Sequence, residues 1–120
     1  MSKLPHQIIT NNEQALNQFL QNARESFISD NGMVQTFKAH VTYNRKGDEQ
    51  PLYCRKVTVQ VSALNIGGYK VNVGALNPEN FFNEFNTSFQ RFSYSNEVLT
   101  IDGTDDFQTG KGDYKVCISL

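Results

Sequence analysis

With 120 residues, a formal net charge of −1 and 19% charged residues, the chain is long enough for one domain that buries its own core. Those numbers exclude a strongly basic nucleic-acid footprint and an acidic, DNA-mimicking surface. No apolar run suits a signal peptide or a membrane span, and two cysteines, Cys54 and Cys117, make no disulfide framework. Free thiols and a cytoplasmic location are expected.

Residues 1–9 read as a flexible N-terminal segment. Thr10 and Glu13 then have the spacing of a capping box. Ala15, Leu16, Phe19, Leu20, Ala23 and Phe27 follow at helical steps, with Asn12, Gln14, Asn17, Gln18, Gln21 and Asn22 on the outward face. Asp30-Asn31-Gly32 is the expected stop, because glycine tolerates the left-handed backbone at a helix end.

The period then changes to two. Phe37, Ala39, Val41 and Tyr43 alternate with polar residues and predict a half-buried strand. A polar loop over 44–51 leads to a second strand with Tyr53, Val57, Val59, Val61 and Ala63 on one face. Arg55 interrupts that apolar face and suggests a sheet edge or a bulge. Asn65-Ile66-Gly67-Gly68 is a tight reversal, and Tyr69, Val71, Val73 and Ala75 form a third strand.

Five of nine phenylalanines fall between Asn77 and Phe92. Phe81, Phe82, Phe85, Phe89 and Phe92 recur at helical spacing, and Asn77-Pro78-Glu79 suits a helix start. A second amphipathic helix is therefore expected over 78–92. Strands over 98–102 and 114–120 follow, separated by a polar loop from Gly103 to Asp113, and the last strand is expected to be central or paired between chains. The fold class is then α+β: one domain over 1–120, order α-β-β-β-α-β-β, with a mainly antiparallel sheet and two helices packed on one face.

The first five of these elements share their order with double-stranded RNA-binding domains. Those domains begin their second helix with a lysine cluster, which Asn77-Pro78-Glu79-Asn80 does not supply. Asp102, Thr104 and Asp106 alternate as in a calcium loop, but Phe107 stands where that loop needs glycine. Thr109-Gly110-Lys111-Gly112 lacks phosphate-loop spacing and leads into a strand. Neither His6 nor His40 has a ligand-spaced neighbour. No metal or cofactor is expected.

The expected function is non-catalytic binding of another macromolecule, above all a protein, as by an inhibitor, an immunity or anti-defence factor, or an adaptor. Candidate contacts are the residues two helices would leave uncovered: Arg45, Lys46, Asp48 and Glu49 in the first hairpin, Asp102, Asp105, Asp106 and Phe107 in the acidic loop, and Phe82. Pairing of two copies through a sheet edge is a further expectation. The first alternative is a nucleic-acid contact through Arg45, Lys46, Arg55 and Lys56. The second is an enzyme in which Cys54 or Cys117 meets His40 in space.

Overall fold

The computed structural model describes residues 6–45, 47, 53–74, 84–107 and 110–120, with 53, 105–107, 110 and 111 described through the backbone alone. Among them, one helix accompanies one antiparallel sheet of eight strands, so the molecule is mostly β. The two-helix α+β architecture expected from the sequence is not what forms.

Helix α1 spans His6–Ala23. It begins four residues before the anticipated cap, so residues 6–9 are its first turn. The Thr10 hydroxyl donates to the His6 carbonyl at 3.1 Å and caps nothing. Leu16, Phe19 and Ala23 are buried as expected, but so is Asn12, which had been assigned to the outward face.

The helix does not reach Phe27. A single 3₁₀ turn over Arg24–Ser26 hands the chain to strand β1, Phe27–Asp30, which pairs with β2, Val34–Arg45. Phe27 still finds the core by stacking on Phe37, with ring centroids 5.8 Å apart. Asp30-Asn31-Gly32 is therefore the tip of a hairpin. The Asp30 carboxylate accepts from Gly32 N–H at 2.9 Å, and the Asn31 side chain accepts from Val34 N–H at 2.8 Å. Gly32 takes φ +87° there, a left-handed value that disfavours any residue with a Cβ.

Strands β3, Tyr53–Ala63, and β4, Tyr69–Val73, match the alternation in the sequence. Their register lines up Phe37, Val59 and Val73 in one row across three strands, all buried. Arg55 pairs with Val41 in unbroken register, so there is no bulge. It lies on the part of β3 beyond Val59, where the pairing with β4 has ended.

The expected second helix is absent from the described residues. Glu84–Asn86 is strand β5, residues 87–90 are a turn, and Arg91–Ser95 is strand β6. Phe85 and Phe92 are buried, whereas Phe89, which a helical stripe would bury between them, is 39% exposed. Local side-chain bonds favour the turn: the Asn86 side-chain Oδ1 accepts from Ser88 N–H, and the Gln90 side-chain Oε1 accepts from Asn86 N–H, each at 2.7 Å. Such bonds compete directly with helical ones. Phe81 and Phe82 lie outside the described residues.

Strands β7, Val98–Phe107, and β8, Gly110–Ser119, pair along their whole length. The stretch from Gly103 to Asp113, anticipated as a loop, is thus mostly hairpin. Thr104 donates to Asp113 across it at 2.9 Å. At Gly103 the Tyr114 side chain lies so close that an added Cβ would clash with it. The C-terminal strand is central, between β2 and β7.

The sheet order is β5-β4-β3-β2-β8-β7-β6, with β1 also on β2. Consecutive strands β5 and β6 thus lie at opposite ends of the order, joined by only four residues. Only a strongly curled sheet permits that connection. Phe85 of β5 accordingly reaches Tyr114 of β8 across the interior, 6.1 Å between ring centroids, although three strands separate them in the sheet. Tyr114 in turn stacks on Tyr43 at 5.5 Å.

Helix α1 packs into the open side of this half-barrel. Phe19 meets Phe37 at 5.7 Å and Tyr94 at 5.9 Å. Asn12 fastens the helix: its amide donates to the carbonyls of Thr87 (3.0 Å) and Gln90 (2.7 Å), and its oxygen accepts from Phe92 N–H at 2.8 Å. An edge strand that would otherwise offer bare backbone groups is thereby covered. Thr87 completes the closure by exchanging bonds with Tyr69 of β4, each 3.1 Å.

The β6–β7 hairpin turns on Asn96 and Glu97, at φ +52° and +65°. A two-residue turn of this kind favours glycine at its second position. Glu97→Gly is therefore expected to raise stability by about 0.5–1 kcal/mol in chemical denaturation, with the extra backbone freedom of glycine offsetting part of the gain.

Candidate functional site

One end of the half-barrel carries exposed apolar turns. There, the tip of the β1–β2 hairpin and the β3–β4 turn stand side by side, joined by a bond from Ala63 N–H to the Met33 carbonyl at 2.9 Å. Both turns present large apolar side chains to solvent: Met33 is 51% exposed and Ile66 89%, and Ile28 on β1 is 62% exposed. Exposed apolar residues on adjoining turns, as Met33 and Ile66 are, make this end a candidate interaction surface.

Between these turns and α1 runs a cleft of about 370 Å³. Leu20, Phe27, Met33, Ala63 and Tyr69 give it an apolar lining. Asn17, Gln21, Arg24, Asp30 and Gln35 supply polar groups. The Asp30 carboxyl is held below its ordinary range by the Gly32 N–H, the Gln35 side-chain amide and the charge of Arg24. It stays ionised, so the cleft carries one fixed anion and one fixed cation. A second cleft, of about 330 Å³, lies between α1 and the β6–β7 turn and includes Phe19, Tyr94, Glu97 and Leu120. The Asn22 amide bonds the Tyr94 hydroxyl at its edge.

The contacts expected from the sequence are distributed differently. Lys46, Asp48, Glu49 and Phe82 lie outside the described residues, as do the side chains of Asp105, Asp106 and Phe107, whose backbone is in β7. Arg45 and Asp102 are half-buried, and Arg55 and Lys56 are exposed. Two covering helices would leave those residues free, but only one α-helix is present among the described residues.

The described basic residues of that set do not share one face. Arg45 shares strand parity with buried Tyr43, and Arg55 with buried Val57, whereas Lys56 belongs to the opposite face. A phosphate backbone contact needs its cations on one surface. The outer face of the sheet is instead a mixture of Lys, Ser, Thr, Asn and acidic residues.

Cys54 and Cys117 are both free thiols. Each stands opposite Thr42, one on β3 and one on β8, so a whole strand separates them. Two strand spacings, about 9.6 Å, exceed the reach of a disulfide. His40 faces the same side but is paired with Lys56 and Ser119. Among the described residues no group of three or more His, Cys, Asp or Glu side chains could hold a metal ion. None of the described helices is long and apolar enough to cross a membrane.

No protein-family model, curated protein or solved structure matches the chain. The apolar turns at the cleft were missed in the sequence. Each is an isolated large residue in a polar turn, and only the strand register shows that Met33 and Ile66 are neighbours.

Proposed function

We propose that this protein acts by binding another protein, with the cleft between α1 and the two hairpin turns as its docking site. An inhibitor, an immunity or anti-defence factor, and an adaptor all work in this way. The observation that carries the reading is the exposure of Met33 and Ile66 on two adjoining turns, beside a cleft that Leu20, Phe27, Met33 and Tyr69 help to line. Apolar anchors in desolvated pockets dominate most protein interfaces. The partner fitting this site presents an apolar side chain for Leu20, Phe27 and Tyr69, flanked by a polar group that meets Arg24 or Asp30.

The test begins with a partner captured from native lysate and identified by mass spectrometry. Its affinity is then measured for the wild type, for Met33→Glu, for Ile66→Glu and for Lys56→Glu on the sheet's outer face. Each apolar-to-acid change is expected to weaken binding at least about tenfold, roughly 1.4 kcal/mol, while Lys56→Glu leaves it unchanged. The opposite pattern would place the contact elsewhere and overturn the reading.

A further inference from the structure

We propose that the outward face of α1 is a self-association surface that pairs, antiparallel, with the same face of a second copy of this chain. Gln7, Asn11, Gln14, Gln18 and Gln21 are all exposed. They follow one another at steps of four, three, four and three, which places them in a single line along the helix. From Gln7 to Asn22 every exposed residue of the helix is an amide or a threonine, and none is charged. Charge lies off this line: Glu13 is half-buried, Arg24 and Glu25 follow the last turn, and Lys38, Lys56, Arg91, Asp113 and Lys115 are exposed on the sheet.

That partition matters because of how a two-fold contact works. Residues near the axis face their own copies, so any charge there meets a like charge. A primary amide carries both donors and an acceptor and can bond to another amide without burying a charge. With Gln14 on the axis, Asn11 opposes Gln18 of the second copy and Gln7 opposes Gln21, so amide meets amide throughout. Strand pairing through β6 is a poorer route to the same dimer, because Asn12 already occupies the Phe92 N–H on that edge.

The size of the contact sets its strength. A helix of 18 residues is about 27 Å long and about 10 Å across. Two packed along this line bury on the order of 1,000 Å², the lower limit for a specific interface. The dimer is therefore weak and concentration-dependent. It shares Gln21 with the border of the docking cleft, but Gln14 lies outside that lining, so variants at Gln14 test this contact alone.

Sedimentation equilibrium of the whole chain, from about 10 µM to about 1 mM, tests it. The average mass should rise from the one-chain toward the two-chain value. Gln14→Glu should raise the dissociation constant at least about tenfold at neutral pH and low salt, and Gln14→Leu should lower it by a similar factor. Both replacements are good helix formers at an exposed site, so folding is preserved. A wild type that stays at the one-chain mass throughout, or a dimer unmoved by either variant, overturns the proposal.

Discussion

Asn12→Ala should destabilise the fold by about 3–5 kcal/mol, measured by urea denaturation against the wild type. The change strips partners from Phe92 N–H and from the Thr87 and Gln90 carbonyls, and orphaned buried backbone groups cost about 1–3 kcal/mol each. Partial relaxation and water entry keep the total below a simple sum. A domain of this size has about 5–15 kcal/mol to lose, so the variant should sit close to unfolding at physiological temperature. Asn11→Ala, one position along on the exposed face, should change stability by no more than about 0.5 kcal/mol. Equal effects of the two substitutions would mean that α1 is not fastened where the structure puts it.

Phe85→Ala should cost about 3–5 kcal/mol, the range for removing a fully buried phenylalanine. A flat sheet would leave this short edge strand half-covered at best, and the loss would be small. The curled sheet instead sets Phe85 against Tyr114. A double-mutant cycle between Phe85→Ala and Tyr114→Ala should therefore return a coupling of about 1 kcal/mol, as for other aromatic pairs in contact. Additive effects would contradict the contact and, with it, the curvature.

Much of the sheet was legible in the amino-acid order. Phe37 to Tyr43, Val57 to Ala63 and Tyr69 to Val73 alternate strictly, and a period of two has no other comfortable home. The reversal at Gly67 and Gly68 was equally plain, and both glycines take positive φ. The segment around Phe85 misled because Phe85, Phe89 and Phe92 satisfy a helical stripe. A contrary signal was present: Phe, Asn, Thr and Ser fill most of that stretch and are mediocre helix formers. Residues 91–95, Arg-Phe-Ser-Tyr-Ser, also alternate as a strand should. Periodicity at three points cannot distinguish a helix from two strands and a turn.

Asn12 was misplaced on the outward face, although its spacing carried a contrary signal. It stands three and four residues before Ala15 and Leu16, on the apolar stripe, and a lone amide on such a stripe needs buried partners. Those partners lie 75 and more residues away in the chain, beyond what local pattern can supply. The same limit hid the cleft beside the two turns. Met33 and Ile66 are ordinary turn residues until the pairing of β2 with β3 brings their turns together.

The architecture depends on a sheet that curls until its two ends share one turn, with α1 in the gap. Solution NMR of the labelled protein tests this directly through ring-to-ring contacts between Phe85 and Tyr114 and backbone shifts over 84–95. The account predicts the cross-peaks together with extended shifts at 84–86 and 91–95. Sequential helical amide contacts running from 84 through 92, with the Phe85 and Tyr114 rings apart, would contradict it.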